Sequence, residues 1–457
     1  MSRRTPSAAL SPVAARAHLG VRARAGFDAT ALLTVYLVLL LALPSNLRVG
    51  ALGSIGRPSV LWGLVLLAVW TFSRLQARDH DVRPVRQPVR FAFAAFFVIA
   101  LVSLAAALLR GQPADQVSPA ITGIVRLASW AGVLFVALDG IRTMNDVTRL
   151  VRRLAIGASL LAVLGLLQVM TKQNLIDFYG SIPGMLLTAE GGITERSGLV
   201  RATGTAYHPL EYATTLMSAY PLVIAAALAA GFRARRSRWS WLWWAAVVLI
   251  AALALIGVSR SAIIGFLFVA VAMVPALPRT TRAIVAVTGI GLAAVVSVLI
   301  PGIMRTTLTL FTGAETDSST QSRVGALDRA PEFIGESPVI GAGFGTFLPR
   351  YYIFDNQWVM TAVELGVLGV VAFAAVFATA IWSAGQARHQ SGQPDVRLVG
   401  YALIVSMLAT GLMFAFFDGL AFPIAAGLLF FYAGLCGALR NVGAADAHLR
   451  SALEGAH

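Results

Sequence analysis

Twelve mostly apolar stretches, separated by short charged segments, leave this chain few folds to choose from. They cover residues 30–44, 58–73, 91–109, 120–138, 154–171, 208–230, 240–257, 261–277, 283–302, 357–383, 398–416 and 420–438. Most approach or exceed the ~20 residues with which a helix crosses ~30 Å of hydrocarbon. A backbone in lipid must satisfy its own polar groups, so only helices and closed barrels span a bilayer. Barrel strands alternate apolar and polar residues, whereas these runs are continuous. The expected fold is therefore all-α: a polytopic membrane protein of about 12 transmembrane helices. A composition of 58% hydrophobic and 12% charged residues, with a mean hydropathy of +0.77, agrees with it.

An even number of spans puts both termini on one side. The segments assigned to that side, tails included, hold more than twice as many basic residues as those on the other. The positive-inside rule then makes both termini cytoplasmic, in a multi-pass protein of the cytoplasmic (inner) membrane. The net charge of +15 thus records topology, and nucleic acid is not an expected partner. Membrane lipids are, since basic residues near the inner surface attract anionic headgroups. Of 36 basic residues only Lys172 is a lysine, and Cys436 is the sole cysteine, which excludes an intrachain disulfide or a multi-cysteine metal site. Residues 1–27, rich in Ala and Arg, read as a disordered cytoplasmic tail, 28–439 as the membrane domain, and 440–457 as a second cytoplasmic tail.

Several polar residues stand out along the way. Asp79-His80-Asp81 imitates a metal motif but sits among arginines in an inner loop, where a solvated, charge-balanced segment is the better reading. Asp115 is a lone outer carboxylate expected to be solvated. Arg126, about two turns into a span, is expected to snorkel to the surface or to pair within the bundle, with substrate contact as the alternative. The outer segment 172–207 ends in Arg201, then Gly204, then Tyr207-His208-Pro209 and Glu211. Pro209 suits the first turn of a helix and Glu211 its positive end, so His208 and Glu211 read either as helix initiation or, with Arg201, as the lining of an outer cleft. Ser259-Arg260-Ser261 forms almost the whole outer connection between two spans, making Arg260 either a snorkelling arginine or a ligand-binding one. Asp418, between the last two spans, reads as a loop carboxylate.

The longest outer segment, 303–356, is expected to carry function and a helical external subdomain before the tenth span. Arg323 and Arg329 lie on a short amphipathic piece, Gly341, Gly343 and Gly345 form a turn returning the loop to the bilayer, and Asp355-Asn356 opens the next span. Glu364 falls inside that span, where an ionisable group usually faces protein or a wet cavity. No βαβ unit surrounds the glycines, so a dinucleotide site is excluded.

These residues resemble the O-antigen ligase and polymerase family of membrane glycosyltransferases. Asp355-Asn356, nine residues, Gly366, two residues and Gly369 is similar to the motif closing that family's large external loop. Arg323 matches an essential arginine, and Pro338, Gly341, Gly343, Gly345 and Phe347 match the turn that follows it. Arg201 through His208-Pro209 and the Ser259-Arg260 turn have weaker counterparts; the motif region is 195–370. Family ligases place His where this chain has Asp355.

The resemblance implies transfer of a glycan from a polyprenyl-diphosphate-linked donor to a glycan, lipid or protein acceptor, inverting and without a metal or other cofactor. It makes Asp355 and Arg323 catalytic, places the donor diphosphate on Arg201, Arg260 and Arg323, and leaves His208, Glu211, Asn356 and Glu364 as candidate site-lining residues. The phosphate role suits guanidinium forks, and the acceptor hydroxyl needs a base such as Asp355. Asp355 could instead cap the helix beginning near Gln357. The competing class is a 12-helix transporter or lipid-linked oligosaccharide flippase, against which stand the absence of a visible repeat and the gathering of distinctive residues on one loop.

Overall fold

The computed structural model describes residues 28–76, 86–188, 193–196, 199–233, 237–257, 259–283 and 318–454, with single positions at 287, 289 and 291. The expected tail 1–27, Asp79-His80-Asp81, most of the ninth span and the loop from 303 to 317 lie outside them, as does the side chain of Arg323. Helices α1 to α8 are Ala29–Leu41, Pro58–Leu75, Pro88–Leu109, Ala114–Gly140, Met144–Thr171, Pro209–Leu228, Trp241–Ile256 and Arg260–Met273. Helices α9 to α12 are Ser318–Glu336, Gln357–Gln390, Pro394–Met413 and Pro423–Glu454. Four short strands, β1 (Leu47–Val49), β2 (Met185–Leu187), β3 (Thr194–Arg196) and β4 (Leu199–Arg201), pair antiparallel as β1 with β2 and β3 with β4.

Among the described residues seven helices, α2 to α5 and α10 to α12, are long and apolar enough to cross a membrane, rather than the twelve expected. Helices α1, α7 and α8 are apolar but shorter, and α6 is diluted by Glu211, Tyr212, Thr214 and Thr215. The other predicted runs fall on helices wherever the chain is described, so for α1, α6, α7 and α8 the shortfall is one of length and polarity, while most of the ninth span lies outside the described residues.

Helix α12 is the axis of the bundle: every residue from Pro423 to Leu439 is buried. A helix that is apolar all round belongs in an interior, and the small residues spaced along α12 let its neighbours approach closely. Helices α4 and α10 pack against it, α2 covers α4, α3 and α11 flank α10, and α6, likewise buried from Pro209 to Ala227, lies against α5 and α11.

The two ends of the bundle differ. One is arginine-rich: Asp139 takes Arg74, Arg90 and the indole N–H of Trp70 at 2.7 Å, and Asp446 accepts from Ser391 at 2.7 Å and Gln393 at 2.9 Å. The other gathers the connections 42–57, 110–113, 172–208, 337–356 and 414–422, and with them the predicted site residues. Asp115, expected to be solvated, lies here in an ion pair with Arg350, whose neighbour Tyr351 also bonds Gln116. A carboxylate at the start of α4 and an arginine at the end of the long loop thus fasten that loop to the bundle.

Candidate functional site

The Asp355-Asn356 pair divides its labour. Asn356 is the N-cap of α10, its Oδ1 accepting from the N–H groups of Trp358 at 3.0 Å and Val359 at 3.3 Å. Asp355 is therefore not the cap. It sits one residue outside the helix at φ 48°, a left-handed conformation costing a non-glycine residue about 1 kcal/mol. That turn directs a half-exposed carboxylate away from the capping position. Beneath it, the α11–α12 connection is tied to the start of α10. The N–H of Gln357 donates to Phe414 O at 2.8 Å, and Gln357 Oε1 accepts from the N–H of Leu420 at 2.8 Å.

This tie brings up Asp418, which the sequence left as an isolated loop carboxylate. Its Oδ1 accepts from the N–H of Asn356 at 3.1 Å. Burial, and then the charge of Asp355, pushes its carboxyl up to about 6, against the opposing pull of the Asn356 bond. The signal available in the sequence was an acidic residue in an otherwise apolar connection, 62 residues from its partner.

The glycine motif has a role different from the expected simple return turn. Helix α10 is broken at Gly366, at φ 63° and ψ −165°, and the segment from Pro338 runs through the break. The N–H groups of Val367 and Leu368 donate to Pro338 O and Val339 O, while those of Ala342 and Gly343 donate to Val363 O and Glu364 O. A Cβ at Gly341 would lie 2.2 Å from the Glu364 carbonyl carbon, and one at Gly366 would lie 2.3 Å from that of Val339. Both positions require glycine for the approach as well as for positive φ. Glu364 is buried here, its Oε1 accepting from the N–H of Gly345 at 3.0 Å and its carbonyl from Ser103 Oγ at 2.9 Å. It anchors the turn rather than facing an open cleft.

Helix α9 packs on this turn through a small core of its own, in which Ala326 and Ala330 meet Phe354 and Val363. Arg323 belongs to this helix, three residues before Ala326. Arg329 stacks over Tyr352, 5.7 Å from the ring centroid.

On the other flank, Arg201 ends β4 and lines a small cleft with Pro209, Tyr212, Leu253, Ser259 and Ala262. Arg260 follows Ser259 as the first residue of α8. His208 is the N-cap of α6, its Nδ1 accepting from the N–H of Leu210 at 3.2 Å. Burial and then the nearby Arg201 lower its imidazole to about 4, so it is neutral near pH 7. Glu211 is fully buried: Ser45 Oγ at 2.9 Å and the N–H groups of Tyr207 at 2.8 Å and Ile424 at 2.7 Å all donate to it. It clamps three segments together and does not line the cleft.

A continuous chain of contacts joins the flanks. His208 touches Phe422, Phe422 touches Phe417, and Asp418 follows Phe417 and binds Asn356. Arg201, His208, Asp418 and Asp355 therefore belong to one face of the bundle. Among the described residues no group of three or more His, Cys, Asp or Glu is placed to hold a metal ion. No curated protein matches the chain. The family model described as O-antigen ligase matches residues 245–374, which hold Arg260, Arg323, Asp355, Asn356 and Glu364. Over that stretch this multi-pass membrane protein carries the domain of the O-antigen ligase and polymerase family, as the spacing around Asp355 and Gly366 had indicated.

Proposed function

We propose that the protein is a membrane glycosyltransferase that moves a glycan from a polyprenyl-diphosphate-linked donor to a hydroxyl of a glycan, lipid or protein acceptor. The reaction takes place at the loop-bearing end of the bundle, on the outer face of the cytoplasmic membrane, with both termini inside. The observation that carries this reading is Asp355. A carboxylate within the stretch that matches the family is held in a strained left-handed turn near a half-buried second carboxylate, that of Asp418. Strain of this kind clusters at sites where geometry serves function.

In this mechanism the acceptor O–H gives its proton to the Asp355 carboxylate as the oxygen attacks the anomeric carbon from the face opposite the diphosphate. The new carbon–oxygen bond forms while the bond to the phosphate oxygen breaks, and its electron pair leaves with the polyprenyl diphosphate. The configuration inverts. Arg201, Arg260 and Arg323 hold the diphosphate oxygens through planar N–H forks, which match phosphate geometry and offset the charge developing on the leaving group. The cleft beside Arg201 has apolar walls in Tyr212, Leu216, Leu253 and Ala262, the chemistry that suits the start of a polyprenyl chain. Neutral His208 and the ends of α6 and α12, clamped by Glu211, keep Arg201 in place.

The experiment is transfer by the purified protein from a lipid-linked glycan to an acceptor in the presence of a strong chelator. Product formation at an undiminished rate is expected. Activity lost in chelator and restored by magnesium or manganese would contradict the guanidinium clamp. Donor that crosses the bilayer without being consumed would point to a flippase.

A further inference from the structure

The connection from α1 to α2 crosses the loop-bearing end and folds back on itself, the N–H of Val49 donating to Gly56 O at 2.9 Å. This bond sets Arg48, in β1, near Arg57, the N-cap of α2. The connection is pinned to α4 by Ser54 and Thr122, whose hydroxyls are 2.8 Å apart, and to α6 by Ser45 on Glu211 at 2.9 Å. Thr122 stands one turn before Arg126 on the same face of α4. Three arginines from three elements therefore meet beside Tyr207 and Glu211.

Their side chains are half-buried, and the Nε atoms of all three, with one terminal nitrogen of Arg57, are shielded from solvent and have no acceptor among the described residues. Arg126, which the sequence left as a snorkelling, pairing or substrate-contacting residue, is half-buried, and its Nε has no acceptor among the described residues. The neighbouring carboxylate offsets them only in part: Glu211 is one charge against three, and its oxygens are engaged by Ser45, Tyr207 and Ile424 rather than by a guanidinium. Burial, then Arg126 and Arg48, lowers the guanidinium of Arg57 to about 9. Each buried donor without an acceptor costs ~1–3 kcal/mol, and more when charged. Like charges brought together in a poorly solvated place add to that cost. Three guanidiniums against one carboxylate leave roughly two positive charges, the complement of a doubly charged anion.

We infer that Arg48, Arg57 and Arg126 form a built site for a phosphate-type dianion, on elements other than those carrying Arg201, Arg260 and Arg323. The chemistry fits the diphosphate of a lipid-linked glycan or the phosphate of an anionic lipid headgroup. Only the first of these sources rests on the glycosyltransferase reading.

The test uses the full chain in neutral detergent and phosphate-free buffer, with inorganic diphosphate and, separately, phosphatidylglycerol as probes. Thermal midpoints are measured for the wild type, Arg48→Gln, Arg57→Gln, Arg126→Gln and the exposed control Arg238→Gln. A ligand that binds only the folded state raises the midpoint with its concentration. The wild type and the control are expected to show a saturable rise with at least one probe. The Arg57 and Arg126 variants should need at least tenfold more of it, while their midpoints without probe stay at or above that of the wild type because repulsion has been relieved. Should one variant fail to fold, Arg48→Gln and the remaining variant carry the comparison.

A rise with diphosphate assigns the site to the donor, and one with phosphatidylglycerol alone assigns it to a headgroup. A wild type indifferent to both probes, or variants that respond as the wild type does, would overturn the site and leave only hydrated arginines. Binding is read without transfer, so a wild type indifferent to both probes that still transfers glycan refutes the site and not the enzyme. Saturable binding without any transfer does the reverse.

Discussion

Asp355 pays for its position with an unfavourable backbone, while Asn356 beside it does the capping that a lone Asp would have done. Separating the two roles leaves the cap to Asn356 and is what the proposed chemistry asks of Asp355. Its neighbour Asp418 has a carboxyl raised from 3.8 to about 6, so protonating it favours the folded state. Stability from this group is fully present below its unfolded value and is lost as pH rises through about 6. The thermal midpoint of the wild type is expected to fall across that window, and Asp418→Asn, which still accepts from the Asn356 N–H, should lack this component. Identical pH profiles would remove the carboxylate interaction. At Arg323, Lys keeps the charge but not the planar fork, so Arg323→Lys should lose turnover on the order of 10²-fold, nearly as much as Arg323→Ala. Near-normal turnover by the Lys variant would mean that a point charge suffices. Asp355 and Arg323 could be named as candidates from the sequence because a motif spaced along one segment carries them. Asp418, Arg48 and Arg57 were not, since their significance arises only when distant connections meet.

At the scale of elements, the break in α10 organises the site. Pro338 to Gly345 could be recognised as a turn from its glycines, but not that it runs through a helix 20 to 30 residues on, because single-sequence patterning treats 357–383 as one uninterrupted apolar run. The break feeds the hydrogen bonds that a continuous helix would have used internally to the Pro338 segment. Gly366→Ala would have to occupy φ 63° with its Cβ against Val339. We expect a loss of at least ~3 kcal/mol, from the strain and the overlap together, measured by denaturant unfolding in detergent. Unchanged stability would show that the loop does not depend on the break. Helix positions were legible from hydropathy for the opposite reason: lipid-facing and buried faces are both apolar, so the runs are long and unambiguous. That same uniformity hid which helices are central, as with α6 and α12.

For the molecule as a whole, arginine asymmetry and the gathering of loops at the opposite end point the same way. A reporter active only outside the cytoplasm should be active when fused after Gly313 and silent after Ser237. The reverse pattern would put the proposed site on the wrong side of the membrane. The overall class was legible from composition and run length, whereas the division of the loop-bearing end into a carboxylate flank and an arginine flank needed the packed bundle. The account's central claim is that Asp355 takes the acceptor's proton. The most direct measurement is turnover of purified Asp355→Asn with a lipid-linked glycan donor, alongside donor affinity and thermal midpoint. Asn keeps the shape but is a far weaker base, and general-base assistance is typically worth ~10²- to 10⁴-fold. A loss of turnover in that range, with donor binding and stability retained, is the predicted result. A well-folded Asp355→Asn protein turning over at the wild-type rate would contradict it.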